Sequence, residues 1–234
     1  MKIYMSVDME GITGLVDYTH VSSELHNYER SRRIMTEEAD AIITSLFKNG
    51  AEEIIVNDSH SKMNNLLVEL LHPDTQLITG DVKPYSMMQG LDASFDGVIF
   101  AGYHARASMP GVLTHSMIFG VRNMYINDQA IGELGFNAYV AGYYGVPVLM
   151  VAGDDQAAIE ASQLIENVTT VAVKTAISRS AAKTLTPAKA KLILAEVASE
   201  ALIKRSHIKP LVPPECPVLR IEFANYGQAE WANL

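Results

Sequence analysis

Short apolar runs rich in β-branched residues alternate with longer stretches of helical periodicity, and this alternation restricts the fold more than any other feature. The run from Lys2 to Val7 reads as a strand. The segment from Asn27 to Asn49 reads as a helix, because Ile34, Ala39, Ile42, Ile43, Leu46 and Phe47 recur at helical spacing and Gly50 suits its stop. Further strands are expected over Glu53–Val56, Gln76–Thr79, Gly97–Ala101 and Val146–Ala152. A hairpin is expected to join Met124–Ile126 to Gln129–Ile131 across Asn127 and Asp128. Helices are expected over Lys62–Leu71 (ahead of Pro73), Leu134–Tyr144 and Gln156–Ile165. Such repetition of strand, helix and strand implies an α/β fold with a mostly parallel sheet flanked by helices.

From about Val168 the texture changes. VTTVAVK and CPVLRIEFAN read as strands on either side of a helix from Pro187 to Lys204, with Thr186 and Pro187 at the favoured cap and first-turn positions. The expected organisation is therefore an α/β domain over residues 1–167 and a smaller C-terminal α+β lobe over 168–234. The sequence ends in YGQAEWANL, and Trp231 and Leu234 are unusual residues to leave in solvent, so the natural chain is expected to continue.

Composition narrows the function. Of the 234 residues 48% are hydrophobic and 19% charged, which suits a globular enzyme rather than a disordered chain. A net charge of −9 argues against nucleic-acid binding, which draws most of its affinity from phosphate neutralisation. The densest basic run, Arg30, Arg32 and Arg33, is flanked by Glu29, Glu37 and Glu38 and reads as a solvated helix face. No apolar run reaches signal-peptide length at the N-terminus or the ~20 residues that span a bilayer. Cys216 is the only cysteine, which removes disulfides and thiolate clusters. A cytoplasmic protein with no membrane partner is the expectation.

In an open α/β sheet, ligands sit beyond the carboxyl ends of the strands. The residues just after each expected strand here are Asp8 and Glu10 in SVDMEG, then Asn57, Asp58 and His60 in VNDSH, and His104 in GYHARA. His115 follows in LTHSM, and Glu133 opens a helix in GELG. Taken singly, each has a structural explanation: Asp8 or Asp58 as a turn residue, His60 as a satisfied core histidine, Glu133 as a favourable charge in a first helical turn. Together they are harder to dismiss. Asp8 and Glu10 point the same way in an extended segment, and like charges so placed repel unless a cation lies between them.

Charge balance fits a metal pair. Asp8, Glu10 and Glu133 carry three negative charges and His60 and His104 bind neutral, so two divalent cations with one hydroxide sum to zero. Mixed imidazole and carboxylate donors suit zinc first, then manganese or iron. The H-E-x-x-H helix, the Walker A loop and a strand-linked G-x-G-x-x-G are all absent. A dinuclear phosphoesterase, with Arg106 and Asn57 directed at phosphate, and a closed non-catalytic zinc site are alternative readings. Asp58 is a candidate to attract a substrate ammonium.

SVDMEGITG, VNDSHSKMNN, AGYHARAS, THSMIFGVR and GELGFNAYVAGYYGVPVLMVAGDD are together similar to the zinc-dependent D-aminopeptidases of bacterial dipeptide-transport operons. These are self-compartmentalising metallopeptidases of the Bacillus type, and the resemblance runs through essentially the whole chain. It implies hydrolysis of short peptides led by D-residues such as D-alanine, with two zinc ions per subunit. Asp8 would bridge the zincs, Glu10 and His104 would complete one site, and His60 and Glu133 the other. His115 matches the family's catalytic histidine. The resemblance further implies a homodecamer of two stacked pentameric rings.

Overall fold

Alternate residues of β1 (Lys2–Val7) feed two separate cores: Ile3, Met5 and Val7 pack into one, and Tyr4 into the other. The computed structural model describes residues 1–233. After β1 come the short helix α1 (Tyr18–Val21), the long helix α2 (Tyr28–Lys48), β2 (Glu53–Asp58), β3 (Gln76–Ile78) and β4 (Gly97–Tyr103). The hairpin β5 (Val121–Ile126) and β6 (Gln129–Ile131) leads into α3 (Glu133–Tyr143), β7 (Val148–Asp154) and α4 (Asp155–Leu164). The chain then forms β8 (Thr169–Ser178), β9 (Ala181–Thr184), α5 (Pro187–Lys204), β10 (Leu219–Phe223) and α6 (Tyr226–Ala232).

Seven strands make the main sheet in the order β3-β2-β1-β4-β7-β8-β9, parallel throughout except where β9 turns back along β8. One face is covered by α2 and α5, which contribute Ile42, Ile43, Leu46, Leu194 and Ala198 to the first core. Full burial of a side chain of the size of Ile42 stabilises by about 1.5–3 kcal/mol. On the other face, Leu134 and Ala138 of α3 and Ala161 of α4 cover Tyr4, Val98 and Phe100. This is the expected α/β architecture. The chain steps from β1 outward to β2 and β3, then returns to the opposite side of β1 as β4. The crevice between the carboxyl ends of β1 and β4 is thus a topological switch point.

The structure departs from the expectations in four places. Lys62–Leu71 is not an α-helix, and only Val68–Leu70 forms a 3-10 turn. The backbone N–H groups of Asn65 and Leu66 donate to the Asp58 carboxylate and that of Leu67 to Thr36 Oγ1, so side chains take donors that a helix would use. The boundary at 167/168 falls inside the main body: β8 and β9 extend the seven-stranded sheet, and α5 packs its apolar face into the first core. A small antiparallel sheet does exist, but β10 forms it by pairing with β5 of the β5/β6 hairpin rather than with β8. Glu38, assigned to a solvated face, is buried at 3% exposure, because it faces Thr13 of the turn after β1. Trp231 of the expected continuing end is 81% exposed, and Leu234 lies outside the described residues. Among the described residues, no helix is long and apolar enough to cross a membrane.

Candidate metal centre

The turn after β1 is drawn against the end of β4. Asp8 N–H donates to the Ala101 carbonyl at 2.8 Å, and Gly11 N–H to the Gly102 carbonyl at 2.7 Å. A Cβ on Gly11 would lie 2.1 Å from the Tyr103 carbonyl oxygen, so only glycine permits this approach. The approach brings Asp8 and Glu10 beside His104, whose strand ends at the same level. From β2, His60 enters the other side, and Glu133 arrives from the first turn of α3.

The six residues singled out in the sequence converge in one buried cluster. His60 Nδ1 lies 3.0 Å from Glu10 Oε2 and 3.4 Å from Asp8 Oδ1. His104 Nε2 lies 3.5 Å from both Asp8 Oδ2 and Glu133 Oε2. His115 Nε2 is 3.6 Å from Glu133 Oε1, and its ring stacks on His104. Asp8 therefore presents one carboxylate oxygen to each of two histidines. The grouping implied by the resemblance set His60 with Glu133; the histidines nearest Glu133 in this structure are His104 and His115.

Each imidazole is oriented by a backbone carbonyl, which can only accept a hydrogen bond. His60 Nε2 donates to Val21 at 2.8 Å, His104 Nδ1 to Ala105 at 2.9 Å and His115 Nδ1 to Leu113 at 2.9 Å. The second nitrogen of every ring is thereby turned toward the carboxylates. In a neutral imidazole that nitrogen carries a lone pair, and a lone pair aimed at a carboxylate is repulsive unless a proton or a metal lies between. Two buried atoms, Asp8 Oδ2 and His104 Nε2, have no hydrogen-bond partner and face each other. A buried carboxylate oxygen opposed to a buried imidazole nitrogen is satisfied by a proton or a cation between them. The donor set therefore fits a divalent cation.

Without a metal, charge is shared by protons. Burial, reinforced by the charge of Glu10, pushes the Asp8 carboxyl up to about 7. Burial also opposes ionisation of Glu10, but the His60 charge outweighs it and holds that carboxyl well below the usual range. For His104, burial opposes the charged form, yet Glu133 and Asp8 raise its pKa to about 10. His115 goes the other way, lowered by burial and by the charge on His104.

The cluster floors a cleft of about 340 Å³ whose rim includes Tyr18, Met63, Met117 and Phe119. No lysine or arginine lines it among the described residues. Arg106 donates to the Ala107 carbonyl, and Asn57 is engaged by Lys83 and the Ser86 carbonyl, so neither is aimed at a phosphate position. Asp58 is also unavailable for a substrate ammonium, since it is buried and accepts from Asn65 and Leu66. His20 is buried and bonded to Asp17. Sequence reasoning missed the polar groups beneath the cluster: Ser6 bonds both Ser59 and Tyr103, and Asn137 donates to Tyr103. Their one signal was polar residues inside apolar runs.

A family model described as D-aminopeptidase, peptidase M55, matches residues 1–234. The chain is 67% identical to the D-aminopeptidase of Bacillus subtilis strain 168, over 100% of this chain and 85% of the relative. It is similar to the solved structure of the Zn-dependent D-aminopeptidase DppA from Bacillus subtilis, a self-compartmentalizing protease. That match has a TM-score of 0.98 and 66% identity, and it covers 100% of this chain and 85% of the other.

Proposed function

Because the chain belongs to the D-aminopeptidase family of peptidases, we propose that it hydrolyses the N-terminal peptide bond of short peptides led by D-residues such as D-alanine, using two zinc ions per subunit. The observation that carries this reading is Asp8, whose two carboxylate oxygens face His60 on one side and His104 on the other. Asp8, Glu10, His60, His104 and Glu133 would hold the metal, with Asp8 common to both ions. Bound zinc supplies Lewis acidity, polarising a carbonyl and acidifying water.

The chain's own residues do the rest. His115 keeps its proton on Nδ1, bonded to Leu113, and so offers Nε2 as the atom that takes a proton during attack and returns it to the leaving amine. A cleft lined by carboxylates, with no lysine or arginine among the described residues, favours the free ammonium of a peptide over a phosphate ester. Tyr18, Met117 and Phe119 at the rim offer apolar surface to the residues that follow the first. Assembly into two stacked pentameric rings in the cytoplasm completes the proposal, supported by the self-compartmentalizing relative.

The test is a kinetic screen of zinc-loaded protein on D-Ala-led and L-Ala-led dipeptides beside a chromogenic phosphate monoester. Turnover of the D-led peptides is expected. Hydrolysis of the phosphate ester without any amide cleavage would overturn the proposal, and light scattering reads the ring assembly in the same samples.

A further inference from the structure

From β8, Lys174 enters the interior, where it is 2% exposed. Its ammonium donates to three backbone carbonyls of the turn after β1: Glu10 at 2.5 Å, Ile12 at 2.9 Å and Leu15 at 2.6 Å. An ammonium has three donors, and all are used. The contact joins segments about 160 residues apart, from β1 and β8, which have β4 and β7 between them in the sheet.

Three carbonyl oxygens converging on one buried point repel one another and lose their water, so this turn needs a cation at its centre. One of the three belongs to Glu10 itself. Release of this carbonyl frees the backbone at Glu10 to shift, and with it the Cα whose carboxylate sits 3.0 Å from His60 Nδ1. Other ties of the turn are the backbone bonds Gly11 N–H to Gly102, Ile12 N–H to Met9 and Leu15 N–H to Ile12, with Thr13 N–H to the Glu38 carboxylate and Gly14 N–H to Thr184 Oγ1.

We infer that Lys174 is a positioning residue for the metal centre, a built-in cation that shapes the turn so that Glu10 and Asp8 meet the histidines. This rests on the proposed reading of Asp8 and Glu10 as zinc ligands. Partners that orient metal ligands from behind are typically worth about ten- to a hundredfold in metal affinity.

Zinc affinity of purified protein, measured by competition with a chromophoric chelator, tests it. Wild type and Lys174→Met are compared, with circular dichroism as the check on folding. Affinity is expected to fall about ten- to a hundredfold in Lys174→Met at an unchanged spectrum. Lys174→Ala is measured with and without propylammonium, which replaces the deleted atoms; the amine is expected to restore zinc affinity. A folded Lys174→Met that binds zinc like wild type overturns the inference. So does an Ala variant that propylammonium leaves unchanged, whether folded or not, since that marks a role in packing alone. Failure of the wild type to bind zinc would instead overturn the metal reading, and the two failures are distinct.

Discussion

The imidazole of His115 lies flat against that of His104, with ring centroids 4.1 Å apart and planes 9° from parallel. The stack keeps His115 at the edge of the carboxylate cluster with Nε2 toward Glu133, while His104 occupies the interior at 3% exposure. Two histidines at nearly one place thus face the cleft differently, one enclosed and one accessible.

That difference predicts separate effects on metal and on turnover. In His115→Ala, kcat should fall by about 10²–10⁴-fold while zinc content stays at the wild-type value. His104→Ala should lose zinc. Because His104, His115 and Glu133 also form a possible three-donor group, metal analysis of His115→Ala decides its role. Loss of zinc there would make His115 a ligand and remove it as the proton carrier.

Stripping the metal should destabilise the fold, because Asp8, Glu10 and Glu133 stay buried without their counter-charge. With free zinc about a thousandfold above Kd, binding stabilises by about 4 kcal/mol. In a chain of this size that corresponds to a fall in Tm of about 8–16 °C on chelation. Protons should return at the same time, since the neighbouring carboxylates hold His60 and His104 above the ordinary histidine range in the metal-free protein. Calorimetric titration with zinc in buffers of different ionisation enthalpy should therefore show proton release. A Tm indifferent to chelator would refute the metal reading.

The main sheet was legible because each buried strand is a continuous apolar run, and the cluster because its residues follow those runs directly. Asp8, His60 and His104 stand within two residues of the ends of β1, β2 and β4. What escaped was decided by contacts distant in sequence. Asp58 and Thr36 capture the backbone donors of residues 65–67, which no periodicity in that segment reports. Thr169–Ser178 looks like the start of a new unit until its pairing with β7 is known. The strand reading of VTTVAVK assigns Lys174 no partner, whereas its stem runs inward to a carbonyl cage.

Gly102 should tolerate no side chain. Its φ is +70°, and an added Cβ would sit 2.1 Å from the Asp8 carbonyl oxygen. A residue forced into that region costs about 1–3 kcal/mol before the overlap is counted. Gly102→Ala should lower Tm by at least about 4 °C. It should also weaken zinc binding, since relief of the overlap moves Asp8. Thermal melts and chelator competition on the same sample read both; a variant unchanged in each would show that the two strand ends can part freely.

Glu38 predicts a pH-dependent stability separate from the metal. It is buried, and its Oε1 accepts from Thr13 N–H at 3.2 Å. Burial pushes its carboxyl from 4.5 up to about 7, and the Thr13 bond and the charge of Lys174 only partly offset this. A folded-state pKa above the unfolded value means that the folded chain keeps a proton which the unfolded chain has released. The associated stability is complete below about 4.5 and is lost as pH rises through about 7. The size of the shift corresponds to roughly 3 kcal/mol. Glu38→Gln carries no charge at either end of this window and escapes the loss. The Tm difference, variant minus wild type, should therefore move upward by about 5 °C or more between pH 5 and pH 8. Parallel melting curves across that range would mean that Glu38 is already ionised at pH 5, and that Lys174 and the Thr13 N–H fully compensate its burial.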